Sequence, residues 1–465
     1  MGDLVNKGWV KIFTGPFGSA LHKHDYTENG VTVVPAESIV GAALDKSKFN
    51  VISLSKAEEL DRYRLQANDI VFARRGAQAC GLSALVKEED RAQIAGTGLI
   101  CLRVVNRRAI DPYFLFLSVS DGKSVAWLKA HAVGATMPNL NGGVLKSLPI
   151  SLPNMRAQRR VSDLHRPLAS KLILNLKINQ TLEKIAQAIF KSWFVDFDPV
   201  KAKVAALEAG SSEQDALLAA MQAISGKSLK QLQRLKNDNP KQYAKLEATA
   251  ELFPASMQDS ELGEIPEGWG VGKLSDIATF PSNRISTVEL SQETYVSTEN
   301  MLENRRGVCS ASSLPSSATV PGFESKQILI SNIRPYFKKI WFASHSGGRS
   351  PDVLCFESKC QGASEFLYNL LYQDRFFDYM MLTSKGAKMP RGDKKAIMQL
   401  MLAVPRVELM QCFSEHVEVF YKLVNSNSLE SKLLASTRDT LLPRLLSGEL
   451  TIPETEEQVA EVADA

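Results

Sequence analysis

The chain has 465 residues, a formal net charge of +4 and six scattered cysteines with no Cys-x-x-Cys pair. This length predicts several domains, and the cysteine pattern favours reduced thiols over a disulfide framework or a zinc ribbon. No secretory signal and no run of about eighteen apolar residues is present, so we expect a cytoplasmic protein without a membrane span.

The first part of the chain, residues 1–155, predicts a domain of mixed α/β structure. The β-branched run 69–73 predicts a strand, and an amphipathic helix is predicted around 112–130. A small loop of sequence Gly-Ala-Thr-Met-Pro follows at 134–138. The alternating segment 148–153 then predicts a second strand that ends at a proline.

A long coiled-coil helix is predicted over 156–198, because mostly apolar residues recur at alternating three- and four-residue steps. The seam residues are Val161, His165, Leu168, Leu172, Asn175, Asn179, Leu182, Ala186, Ile189 and Trp193. Asn175 and Asn179 lie at its middle, where buried polar residues reduce stability but fix the register of paired helices. Residues 199–262 then predict a connector of short helices.

The remainder repeats this order. A shift of 252 positions places Asn175 on Asn427 and the loop 134–138 on the loop 386–390, which again reads Gly-Ala-x-Met-Pro. The second copy predicts a domain over 263–405, with a strand at 327–331 and an amphipathic helix around 364–383, and then a long helix over 406–450. The seam residues of this helix are Phe413, Val417, Phe420, Val424, Asn427, Ser431, Leu434, Arg438, Leu441 and Leu445. An acidic tail, 451–465, is predicted to be disordered.

These elements predict an α+β fold of two duplicated domains joined by two long antiparallel helices. Antiparallel packing would place the domains at opposite ends, related by an approximate two-fold axis. The dyad of duplex DNA has the same symmetry, so each domain is expected to address one half-site.

Three strings carry a family resemblance. Residues 179–200 (NQTLEKIAQAIFKSWFVDFDPV), 259–269 (DSELGEIPEGW) and 441–450 (LLPRLLSGEL) resemble conserved regions of type I restriction–modification specificity subunits. The resemblance implies two target-recognition domains that read double-stranded DNA. It also implies two adenine-N6 methyltransferase subunits and motor–nuclease restriction subunits as partners. These partners would use S-adenosylmethionine, ATP and magnesium, whereas this chain would hold no cofactor and catalyse nothing itself.

Candidate DNA contacts are polar or basic residues near the predicted turns and loops, because Arg and Lys suit phosphates or guanine and Asn and Gln suit adenine. They are Arg74, Arg75, Gln78, Thr136, Asn139, Asn141, Asn332, Arg334, Tyr336, Lys338, Lys339, Lys385, Lys388, Arg391 and Lys394. Candidate subunit contacts are Trp193, Phe194, Phe197, Leu442 and Leu446. Packing inside the chain is the alternative for the aromatic group, and a solvated surface role is the alternative for each DNA candidate.

Two other functions remain open at this point. Asp352, Glu357 and Lys359 mimic the Pro-Asp…Glu-x-Lys pattern of metal-dependent nucleases, although too few residues separate the two acids. The other is a coiled-coil adaptor that binds only proteins, but this function would not explain the basic residues among the DNA-contact candidates of both domains. The two domains differ outside their shared framework, so an asymmetric target is expected.

Overall fold

The computed structural model describes residues 1–17, 20–76, 79–134, 138–386 and 389–450. They form two compact units, and the two long helices each run through both. The first unit comprises Met1–Leu174 and the chain from Glu430 onwards, and the second comprises Asn175–Leu429. Gln78, Thr136, Lys388 and the predicted acidic tail lie outside the described residues.

The strands, in chain order, are β1 (Val10–Thr14), β2 (Tyr26–Val34), β3 (Ile39–Val40), β4 (Ala43–Leu44), β5 (Asn50–Ile52), β6 (Ile70–Ala73), β7 (Ser83–Leu85), β8 (Ile94–Ala95), β9 (Leu99–Val104), β10 (Met257–Ser260), β11 (Gly263–Pro266), β12 (Gly270–Lys273), β13 (Ala278–Thr279), β14 (Arg284–Ser286), β15 (Tyr295–Val296), β16 (Thr319–Phe323), β17 (Ile328–Ser331), β18 (Ile340–Phe342), β19 (Gly347–Arg349), β20 (Val353–Ser358) and β21 (Met401–Val404). The helices are α1 (Gly2–Asn6), α2 (Leu54–Glu59), α3 (Pro112–Ser120), α4 (Gly122–His131), α5 (Gly142–Ser147), α6 (Met155–Phe194), α7 (Asp198–Glu208), α8 (Glu213–Ser225), α9 (Leu229–Asp238), α10 (Pro240–Glu251), α11 (Leu274–Ile277), α12 (Ser364–Tyr372), α13 (Asp374–Leu382), α14 (Lys394–Ile397) and α15 (Val407–Ser447).

Each domain is built on a four-stranded antiparallel sheet, and the strand orders match. The first sheet has the order β1-β9-β6-β7 and the second β13-β20-β17-β18. The predicted strands 69–73 and 327–331 are β6 and β17, so both predictions are confirmed. The common strand order shows that the sequence repeat is a duplication of one fold.

The central strands are buried on both faces. In β6, Ile70 and Phe72 join the core beneath the helices, while Val71 and Ala73 join a second core on the opposite face. In β17 the same alternation sends Ile330 to one core and Leu329 to the other. Strands covered on both faces are continuously apolar, which is why these runs lack the polar alternation of a half-exposed strand.

Two local predictions were wrong. The helix expected around 112–130 is broken at Asp121, whose carboxylate accepts a hydrogen bond from the backbone N–H of Lys123 and starts α4. Its counterpart breaks at Gln373, between α12 and α13. The segment 148–153 forms no strand, although β21 in the second domain pairs with β12. Pro149 has no N–H to donate to a ladder, which disfavours pairing there.

The long helices match their predicted bounds closely, with 40 residues in α6 and 41 in α15. All predicted seam residues are buried or half-buried. The helices are antiparallel within each unit. In the first, Lys171 forms an ion pair with Glu430 at 3.2 Å. In the second, Asn175 and Asn179 contact the helix at Asn427 and Val424.

The polar residues predicted at the middle of the seam form hydrogen bonds across the two helices. Asn427 donates from Nδ2 to Oδ1 of Asn179 at 2.9 Å. Asn175 donates to the backbone carbonyl of Asn427, its own counterpart in the repeat. These bonds satisfy buried amides only in one register, so they select it.

The connector folds as the helices α7 to α10, with a small core that includes Met221, Leu232 and Tyr243. The hairpin β10–β11 follows and already begins at Met257, inside the range predicted for the connector.

Candidate nucleic-acid interface

The Gly-Ala-x-Met-Pro loop is closed by backbone pairing in both domains. In the second, Lys385 and Arg391 exchange N–H···O hydrogen bonds of 2.9 and 3.0 Å. Arg391 also bridges to Ile333, just beyond β17, and the N–H of Arg334 donates to Pro390 at 2.9 Å. The fold therefore brings together two groups of candidate residues, 332–339 and 385–394, that lie more than forty residues apart in the sequence.

This junction borders a groove with a volume of about 900 Å³, which we call the second-domain groove. Its lining includes Asn300, Ser331, Arg334, Lys339, Asp352 and Arg391. Arg334 and Lys338 flank a short turn and both have positive φ, 50° and 49°. The left-handed region is unfavourable for residues with a Cβ, and such strain concentrates at functional sites.

The basic side chains near the groove differ in what they contact. Arg391 is paired with Asp352 at 3.1 Å, and Lys339 donates to the carbonyl of Thr298 at 2.8 Å. Arg334, Tyr336 and Lys394 are exposed.

Two further lysines hold aspartates. Lys338 pairs with Asp374 and Lys385 with Asp393, each at 2.7 Å. Hydrogen bonds from Lys338 and then Arg305 lower the pKa of Asp374. The Lys385 ammonium, followed by two backbone N–H groups, lowers the pKa of Asp393 to about 2. Both carboxylates are therefore ionised at neutral pH and reduce the local positive potential.

Asn332 does not fit the predicted role of a DNA contact. Its side chain is buried, and its backbone N–H donates to the carbonyl of Asp352 at 2.8 Å. Gly392 packs so closely that an added Cβ would lie 2.7 Å from Asn332 Oδ1. Asn332 therefore packs inside the junction and is not exposed on its surface.

The first domain repeats the junction with different side chains. Val133 and Asn139 exchange backbone hydrogen bonds of 3.0 and 2.9 Å, and Asn139 bridges to Arg75. Arg74 donates from Nε to Asn139 Oδ1 at 3.1 Å, and Arg75 is exposed. Asn141 is also exposed, but its side chain accepts from the N–H of Val144 and caps α5. Its carbonyl oxygen thus has a structural role that the sequence prediction missed.

The aromatic candidates for subunit contact mostly pack within the second unit. Trp193 is only 1% exposed and contacts Phe253 and Phe413 edge-on. Half-buried Phe194 and Phe197 both contact Trp269. The packing alternative therefore describes Trp193, whose burial leaves its indole no surface for a partner.

Leu442 and Leu446, the other candidates for subunit contact, lie near the end of α15. Both are half-buried and pack against the core of the first domain. Part of each side chain remains accessible.

The nuclease pattern does not form a site. Asp352 precedes β20 and Glu357 lies near its far end, so about five residues of strand separate them by roughly 16 Å. Lys359 donates to the carbonyl of Ser275 at 2.6 Å. Across the described ranges, no three His, Cys, Asp or Glu side chains are grouped to hold a metal ion.

Asp352 instead belongs to the groove as the partner of Arg391. Sequence reasoning missed this role, because 39 positions separate the two residues and no local pattern joins them.

Comparison with known proteins agrees with this architecture. The family described as "Type I restriction modification DNA specificity domain" matches residues 14–184. The HindI specificity subunit of Haemophilus influenzae is 32% identical over 372 residues, which are 74% of this chain and 79% of that protein. The chain belongs to the family of type I restriction enzyme specificity subunits.

More distant members extend the likeness. The MjaIX specificity subunit of Methanocaldococcus jannaschii is 23% identical over 74% of this chain and 69% of that protein. The crystal structure of the type I S subunit from M. genitalium shares the fold, with a TM-score of 0.52 and 15% identity over 96% of this chain and 94% of that one. No helix in the described part of the chain is long and apolar enough to cross a membrane.

Proposed function

We propose that this chain reads a bipartite, asymmetric DNA target, with one half-site for each domain, and does so without catalysis of its own. The observation that carries the proposal is the duplicated junction between the central sheet and the Gly-Ala-x-Met-Pro loop. The same backbone pairing positions Arg74 and Asn139 in one domain and Arg334 and Arg391 in the other. Identical frameworks with different side chains suit two different half-sites.

In the proposed complex the chain also holds two methyltransferase subunits and recruits motor–nuclease subunits in the cytoplasm. S-adenosylmethionine, ATP and magnesium would be bound by those partners. Both long helices expose large apolar side chains, including Leu176 at 59%, Leu423 at 45% and Leu433 at 68%. Exposed apolar groups on a rigid helix pair favour protein docking.

Exchange of residues 1–155 for those of a relative with another specificity tests the two-domain proposal. Methylome sequencing of cells that carry the chimera should show a change in one half of the target only. The reciprocal exchange of 263–405 is the matched control and should change the other half. Alteration of both halves by either exchange would contradict independent reading.

Two measurements test the assembly and the lack of catalysis. Native mass spectrometry with excess methyltransferase subunit should end at two partners for each chain, and a one-to-one end point would contradict the scaffold. Incubation of the pure chain with magnesium and duplex DNA should yield no cleavage.

A gel shift tests the remaining alternative, a protein-only adaptor. The chain together with its methyltransferase partners should retard target DNA. Failure to do so under these conditions would favour the adaptor function.

A further inference from the structure

We propose that the residue that closes the Gly-Ala-x-Met-Pro loop, Asn139 in the first domain and Arg391 in the second, determines one base of each half-site. We call it the loop-closing position. The inference rests on the proposed function and assigns within it a specificity-determining residue for each domain.

The backbone establishes that the two residues are equivalent. Asn139 pairs with Val133 as Arg391 pairs with Lys385, through reciprocal hydrogen bonds of 2.9–3.0 Å in both cases. On its other side, each bridges to the segment just after the central strand, at Arg75 or Ile333. The next residue in each domain donates its N–H to the carbonyl of Arg74 or Asn332. The backbone is therefore held in the same way, while the side chain changes from an amide to a guanidinium.

The carboxylate of Asp352 distinguishes Arg391 from an ordinary phosphate-binding arginine. It lines the second-domain groove, and its side chain is 56% exposed although Asp352 lies 3.1 Å away. A phosphate that approached this guanidinium would also be repelled by the negative charge of Asp352, which weakens its attraction to Arg391. A base edge carries no net charge and meets no such repulsion.

The same contact directs the donors of Arg391. Nη2 donates to Asp352 Oδ2, which restrains the planar guanidinium and leaves further N–H groups. Two parallel donors in a fixed plane match O6 and N7 of guanine in the major groove. Asp352 is therefore a positioning residue, and the base expected opposite Arg391 is guanine.

Asn139 is held in a comparable way by a different partner. Arg74 donates from Nε to Asn139 Oδ1 at 3.1 Å, which determines which end of the amide faces the guanidinium. Nδ2 keeps its donors, and Oδ1 keeps a second lone pair. A donor beside an acceptor matches N7 and the N6 amino group of adenine. The base expected opposite Asn139 is adenine.

The test is a selection from randomised duplex DNA by the full chain with its methyltransferase subunits. Arg391→Ala should relax one base position in one half-site, with discrimination there falling about 5- to 150-fold, and leave the other half unchanged. Asn139→Ala should relax one position in the opposite half. Asp352→Ala should weaken base discrimination at the same position of the half-site as Arg391→Ala. Lys241→Ala removes the charge of an exposed lysine of α10, outside both domains, and is the control that should change no base preference.

Arg391→Lys keeps the charge but removes the planar fork, and an unchanged melting temperature shows that the variant folds. Wild-type preference at every position in this variant would overturn the inference. Equal weakening of all sequences by Arg391→Ala, with a salt-dependence slope smaller by about one, would also overturn it, because that is the signature of a phosphate contact. If the wild-type complex itself selects no sequence, the proposed function fails instead.

Discussion

If the two long helices set the distance between the half-sites, lengthening them should lengthen the unspecified spacer of the DNA target. The boundary between the two units gives the place for the insertion, after Leu174 in α6 and after Leu429 in α15. The Lys171–Glu430 pair lies on one side of that level and the Asn175–Asn427 contact on the other. Four helix-forming residues in each helix would therefore leave the paired contacts of both units in place.

The expected size of the change follows from helix geometry. Four residues add about 6 Å and rotate the helix about 40° beyond one full turn. At about 3.4 Å per base pair this is nearly two base pairs, over which B-DNA turns about 70° in the same sense. Rise and rotation therefore change together, and the spacer should lengthen by about one or two base pairs. The insertion shifts the seam by four residues, so some loss of helix stability is expected.

Selection from duplexes with spacers of every length measures this directly, and the defined bases at each end should stay the same. A seven-residue insertion in each helix is the matched control. It preserves the heptad phase and adds about 10.5 Å, but rotates the helix by about −20°, whereas three base pairs turn DNA by about 100°. This variant should fold well yet bind every spacer weakly. An unchanged spacer length with undiminished affinity in the four-residue variant would refute the idea that the helices set the distance between the half-sites.

Three further predictions concern the second unit. Asn427→Ala removes the 2.9 Å hydrogen bond to Asn179 and should lower the free energy of unfolding, measured in urea, by about 1–3 kcal/mol. The control is Thr437→Ala at an exposed position, which should change that free energy by less than about 0.5 kcal/mol. Trp193→Ala should lower it by about 3–5 kcal/mol, because the indole is fully enclosed by aromatic rings. Burial raises the pKa of Glu183 from its ordinary 4.5 to about 7, so the folded state holds this proton more tightly and stability should fall as pH rises from about 4.5 to 7. Glu183→Gln should flatten that slope in urea titrations at successive pH values.

Each of these has a result that contradicts it. An unchanged urea midpoint for Asn427→Ala would show that the amide contributes nothing to the seam. A loss below about 1 kcal/mol for Trp193→Ala would show that its aromatic surroundings collapse into the space. An equal pH slope in Glu183→Gln and wild type would show that another group causes the pH dependence.

The sequence alone determined the repeat, the long helices and the central strands. These depend on periodicity along the chain: three- and four-residue steps in α6 and α15, and short β-branched runs in β6 and β17. Apolar burial is the largest driving force for folding, and the spacing of the apolar residues that become buried is visible in short stretches of sequence. The polar seam residues Asn175 and Asn179 were also predicted correctly, because an interruption of an apolar seam is visible in the sequence.

Only the tertiary structure decided which polar residues face the groove. Asn332 and Arg334 are two positions apart, yet one is buried under Gly392 and the other is exposed beside the groove. Asn141 is a helix cap, and Asp352, whose sequence neighbours resemble a nuclease pattern, is the partner of Arg391. These roles depend on contacts between segments far apart in the sequence, where a single hydrogen bond decides whether a side chain supports the fold or remains available to DNA. Local periodicity carries no information about such contacts, since they arise only after the sheet, the loop and the helices have packed together.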